Sequence, residues 1–151
     1  MGDIVDEHPT RVSYLDALQL LSDAQGLLVI GSTEPHYTAS KIFPYILARK
    51  PLMAIFHQDS SVVRILGESR AGEVVTFSSQ ESLQAKREEI AARLQALLRL
   101  PRGYQPSTCW EAFEAYTTRA MTGRLAGVLN QVTAERSKHS PQAMRDRSRA
   151  M

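Results

Sequence analysis

The chain has 151 residues, 43% of them hydrophobic, 23% charged and 7% aromatic, with a formal net charge of +2. That balance fits one ordinary globular domain whose core is large enough to fold without cross-links. A single cysteine, Cys109, excludes an internal disulfide, four histidines are too sparse for a zinc cluster, and no apolar run approaches the roughly 18 residues of a membrane span.

The first residues, MGDIVDEHPTRV, are acidic and carry no apolar h-region, so no secretory leader is read there. The expected location is cytoplasmic, either free or against the inner membrane face. Over Ser13 to Ala24 the apolar residues fall at 14, 15, 17, 18, 20, 21 and 24, which predicts a helix with a broad buried stripe. Ser13 and Asp16 have the spacing of a capping box at its start. GLLVI, Gly26 to Ile30, is a short continuous apolar run and predicts a strand covered on both faces.

The polar stretch GSTEPHYTASK, Gly31 to Lys41, follows it and runs into a helix expected from about Ala39 to Ala48. PLMAIF (Pro51 to Phe56) predicts a second buried strand, SSVVRILGES (Ser60 to Ser69) a short helix, and EVVTF (Glu73 to Phe77) a third strand. Ser78 and Glu81 have capping-box spacing before the helical run ESLQAKREEIAARLQALL, with Leu83, Ile90, Leu94, Leu97 and Leu98 as its apolar stripe. Residues 101–108, with two prolines and a glycine, read as a linker. A single closing helix is expected over 109–136, presenting Trp110, Phe113, Met121, Leu125, Val128, Leu129 and Val132 on one side.

The charge is uneven. From Glu135 onward Arg136, Lys138, Arg145, Arg147 and Arg149 face only Glu135 and Asp146, so +3 resides there and the remainder sums to −1. Residues 137–151 are therefore expected to be a basic, disordered tail, and no specific nucleic-acid partner is expected. The order of elements predicts an α/β fold: a partial Rossmann-like parallel sheet of about three strands, flanked by helices and followed by a long C-terminal helix. A doubly wound domain has five or six strands, so about half of one is expected upstream of residue 1.

Ligands of such sheets sit beyond the carboxyl ends of the strands, where residues 31–41 emerge. The opening turn of a helix leaves amides unpaired, and an anion is its natural guest. The backbone of Thr38, Ala39, Ser40 and Lys41, two hydroxyls and an ammonium form the expected diphosphate site. Ser32, Glu34, His36 and Tyr37 are the expected contacts to whatever the diphosphate carries. The same residues also allow a plain helix cap beside a solvated lysine. The stretch is not a P-loop, since the Gly-Lys-Ser/Thr ending is absent. His57 and Asp59 share this edge, with Asp59 better read as a helix cap than as a ligand contact, and Cys109 beside Trp110 reads as a packed thiol.

The passage YLDALQLLSDAQGLLVIGSTEPHYTASKIFPYILARKPLMAIF resembles the donor-binding half of bacterial family 4 glycosyltransferases, enzymes of the two-domain GT-B fold. The resemblance lies in the order helix, buried strand, polar loop with Thr-x-Ser-Lys, aromatic-rich helix, then a Lys-Pro turn into a second buried strand, and covers about Arg11 to Phe77. WEAFEAYTTRAMTGRLAGVL is more weakly similar to the helix that crosses back to the acceptor domain.

The resemblance implies transfer of a sugar from a nucleotide-diphosphate donor to an acceptor hydroxyl, with no metal and no cofactor beyond the co-substrate. Two glutamates with seven residues between them are common in that family's retaining members, and those places hold His36 and Pro44 here. A proline cannot hold ribose hydroxyls as a glutamate does. No catalytic residue is assigned. The chain is expected to turn over only when completed by an acceptor-binding domain; the alternative expectation is an inactive remnant that self-associates through its last helix.

Overall fold

The computed structural model describes residues 4–37, 39–81 and 83–138. Thr38, the first residue of the expected diphosphate site, lies outside them, as does the expected tail beyond Lys138. The chain divides into two compact units between Cys109 and Trp110, so residues 101–108 stay with the first unit.

The first unit is α/β. Its elements are α1 (Tyr14–Asp23), β1 (Leu27–Ile30), α2 (Ile42–Leu47), β2 (Leu52–His57), α3 (Ser61–Ser69), β3 (Glu73–Phe77) and α4 (Arg87–Leu98). The three strands form one parallel sheet in the order β1-β2-β3, with Leu27 opposite Leu52 and Ala54 opposite Val74. Strand order follows chain order because each crossover carries the chain just one strand sideways.

β2 lies in the middle, and all six of its residues are buried. Alternate residues of a strand point to opposite faces. On one face Met53, Ile55, Val75 and Phe77 make a core closed by Ile90, Leu94 and Leu97 of α4. Leu52, Ala54 and Phe56 serve the other face, where the crossover helices contribute Ile42, Ile46, Val62, Ile65 and Leu66.

Four expectations are corrected. β1 is buried on one side only, because it is the sheet edge and α4 packs on β2 and β3: Leu28 and Ile30 are 45% and 64% exposed. The amides of Leu27 and Gly31 donate to Pro51, just before β2, and to Ile55 within it, so the alternate residues Leu28 and Ile30 turn their backbone groups to the free edge. α1 has the expected Ser13 cap, whose oxygen accepts the Asp16 amide at 3.2 Å, but buries none of its residues fully.

α4 starts at Arg87 rather than after Ser78. Short-range bonds from Lys86 to Leu83 and from Arg87 to Gln84 hold the preceding residues in turns, and Leu83, 42% exposed, finds no core to close on. Leu98 is exposed as well.

The second unit holds two helices where one was expected: α5 (Trp110–Glu114) and α6 (Thr118–Lys138). Thr117 makes the break. Its hydroxyl donates to the Glu114 carbonyl at 2.8 Å and accepts the Ala120 amide at 3.2 Å, acting as the cap of a new helix. Met121, Leu125, Val128, Leu129 and Val132 do share one side of α6, and all are exposed.

Candidate functional site

Residues 31–41 leave the carboxyl end of β1 by a close approach that only glycine permits. A Cβ on Gly31 would stand 2.4 Å from Cδ1 of Phe56. The Gly31 amide continues the parallel ladder by donating to the Ile55 carbonyl at 2.9 Å. Ser32 Oγ then accepts the Glu34 amide at 3.1 Å, and the Glu34 carbonyl accepts the Tyr37 amide at 3.2 Å, which folds the loop back on itself.

Two residues pin the returning loop. The Tyr37 ring stacks on Phe56, with centroids 6.5 Å apart and planes at 11°. Its carbonyl accepts from Ser60 Oγ at 2.7 Å, and the same Oγ accepts the Val62 amide at 3.3 Å as the cap of α3. Ser60, not Asp59, is therefore the helix cap. One buried hydroxyl fastens the first loop and starts the second crossover helix.

Beyond Tyr37 the structure places Ala39 in the core and leaves Ser40 and Lys41 exposed. Ala39, 5% exposed as a whole residue, thus serves packing. The helix they were expected to open is shorter than predicted: α2 has six residues, begins at Ile42, and receives no side-chain cap from Lys41. So short a helix carries little dipole, which weakens that part of the expected anion attraction. The Ala39 and Ser40 carbonyls accept from Ile42 and Phe43, while the amides of Ala39, Ser40 and Lys41 have no hydrogen-bond partner among the described residues. Pro44 is the third residue of α2, where its missing N–H costs no helical bond.

Glu34 and His36 are exposed on the loop. His57 is not available to a ligand there. It is 2% exposed at the end of β2, its Nδ1 accepts the Asp59 amide at 3.3 Å, and its Nε2 lies 3.0 Å from Ser79 Oγ. The Asp59 carboxylate also lies 3.6 Å from Nδ1. The imidazole, set edge-on to Phe77 at 5.7 Å, ties the second loop to the third. The third loop ends at Lys86, whose ammonium bridges Glu81 and Glu89, each at 3.4 Å. The hydrogen bond to Glu81, more than that to Glu89, holds this ammonium above its ordinary value of 10.5.

The main recess lies at the other end of the sheet. A cavity of about 630 Å³ opens at the amino ends of β2 and β3, between the C-terminal turns of α3 and α4 and residues 104–107. A smaller one of about 350 Å³ lies beside it, lined among others by Arg49, Lys50 and Arg102. No described residue of 31–41 lines either cavity. Sequence reasoning missed this end, and its one local signal is faint: Arg49 and Arg70 occupy the helix-ending positions where glycine is usual, at φ 56° and 53°.

Among the described residues no three His, Cys, Asp or Glu side chains cluster as metal ligands, and no helix is long and apolar enough to cross a membrane. Comparison with protein-family models, with curated proteins and with solved structures found no match.

Proposed function

We propose that this chain is the donor-binding half of a glycosyltransferase, holding a nucleotide-diphosphate sugar and acting on an acceptor hydroxyl once an acceptor-binding domain completes it. The supporting observation is the pinned loop at the carboxyl edge. Its exposed residues Ser40 and Lys41 carry amides without partners among the described residues, beside a hydroxyl and an ammonium. Fixed donors of this kind favour a diphosphate leaving group without reorganising as charge develops on it. Ser32, Glu34, His36 and Tyr37 border the same edge and are the proposed contacts to sugar or nucleoside.

The test is a titration of the full chain with uridine, guanosine and adenosine diphosphates, read by amide chemical shifts. The proposal expects shifts at Ser32 to Lys41 for at least one nucleotide, with Lys41→Ala weakening binding by about tenfold, the order of one charge-assisted contact. Absence of any shift there at millimolar nucleotide overturns it.

A second reading is favoured by a different observation. Met121, Leu125, Val128, Leu129 and Val132 make a continuous exposed stripe along α6, the kind of surface that pairs with another helix. In this reading the chain is a non-catalytic interaction module that self-associates. Sedimentation of the chain with and without residues 110–151 distinguishes the two, since a monomer in both forms removes the module reading.

A further inference from the structure

The cavity at the amino edge is built differently from the loop at the carboxyl edge. Its walls are largely apolar, drawn from Leu52, Met53, Leu66, Leu97 and Leu100, and its volume of about 630 Å³ is of the size that encloses a small organic ligand. At its rim stand Glu73 and Arg93, which pair with each other and so cancel. Arg70 also lines it, and no ion pair engages its guanidinium among the described residues. One net positive charge therefore faces an apolar hollow.

Two further observations bear on Arg70 and its neighbour. Arg70 ends α3 in the left-handed conformation, φ 53° and ψ 29°, a position that glycine occupies at lower cost. The fold thus carries a strained arginine where a small residue would be easier, and strain of this kind marks functional positions. Gly67, one turn earlier on the same wall, has nothing within 4 Å of where its Cβ would be. Glycine inside a helix weakens it, and here no steric demand requires one. Its effect is to keep the hollow open.

The C-terminal turns of α3 and α4 add partial negative charge at this edge. The full charge of Arg70 on the cavity wall outweighs these partial charges. A cationic head would meet the guanidinium, and a wholly apolar ligand would leave it without a partner.

We infer that the amino-edge cavity binds an amphipathic monoanion, an acyl or aryl body ending in a single carboxylate or similar group, with the body among Leu66, Leu97 and Leu100 and the anion on Arg70. This site is separate from the proposed donor site and stands or falls apart from it.

The test uses the full chain and three probes of equal length, decanoate, decanol and decylammonium, with side-chain methyl and amide shifts as the readout. Decanoate is expected to shift the methyl signals of Met53, Leu66 and Leu97 and to leave those of residues 32–41 unmoved. Arg70→Gly is expected to weaken decanoate about tenfold, the worth of one charged contact, and to leave decanol unchanged. Gly67→Leu fills the hollow from an open position, so it is expected to abolish decanoate binding while the chain stays folded by circular dichroism. Three results would overturn the inference: no methyl shifts at millimolar decanoate, undiminished binding in folded Gly67→Leu, or decylammonium binding as tightly as decanoate.

Discussion

The two ends of this small sheet are built on opposite plans. At the carboxyl end the loops are stitched to one another: Gly31 to Ile55, Tyr37 to Ser60, His57 to Ser79 and Gln58 to Phe77. These bonds tie all three loops together, and Ser40 and Lys41 stay exposed beside them. At the amino end charged residues such as Arg70 and Arg102 stand around hollows left by the three helix-to-strand turns and residues 104–107. A concentration of polar side chains therefore does not by itself make a recess. Groups that satisfy each other close the space between them.

That contrast can be broken most sharply at Phe56, which is fully buried and supports both the Gly31 turn and the Tyr37 ring. Phe56→Ala is expected to cost about 3–5 kcal/mol by urea unfolding, the range for emptying an aromatic site. Ser60→Ala comes next, at about 1–2 kcal/mol for a lost cap. Because Ser60 also holds the Tyr37 carbonyl, hydrogen exchange at residues 32–41 should accelerate more than at β3. Equal acceleration in both places would mean that the loop is not separately pinned.

At the amino end the sign reverses. Gly67→Ala is expected to stabilise by about 0.8–1 kcal/mol, since the added methyl meets open space and glycine is the poorer helix former. A melting temperature below that of the parent chain would show that the hollow is closed in solution.

The smallest effect belongs to Lys86. Its folded value lies above the ordinary 10.5, so its bridge to Glu81 and Glu89 stabilises fully below 10.5 and is lost as pH rises through the folded value. Lys86→Met should lower stability slightly throughout the neutral region and leave it unchanged above the folded value, so that the alkaline limb flattens.

Much of the layer plan could be read from the residues. The run EVVTF is a strand over the same residues that its pattern predicted, and the Ser13 cap sits where its spacing with Asp16 placed it. Periodicity captures these because burial and pattern have one cause. It failed where neighbours decide. GLLVI has the composition of a central strand but lies at an edge, and no local feature of Leu28 or Ile30 records how many strands flank them. The capping-box spacing of Ser78 and Glu81 was met by a backbone turn instead, because the following leucine had no core to reach.

Of the expected site residues that the structure describes, Glu34, His36, Tyr37, Ser40 and Lys41 are exposed on the loop after β1, whereas Ala39 is buried. Thr117 escaped notice because threonine within a helical pattern resembles any other interior residue until its hydroxyl is seen to cap. The cavity was illegible for a simpler reason. A hollow is defined by what faces it from distant segments, and glycine at 67 is silent about that.

β2 belongs to both ladders and feeds both cores, with all six residues enclosed. During synthesis it emerges before half of its covering exists, since α4 follows it by some thirty residues. A nascent chain that has just released Phe77 would show Met53, Ile55, Val75 and Phe77 as a bare greasy sheet face. Leu94 and Leu97 are therefore the closing pieces of assembly, and until they leave the ribosome this half of the molecule is where a chaperone would find its grip.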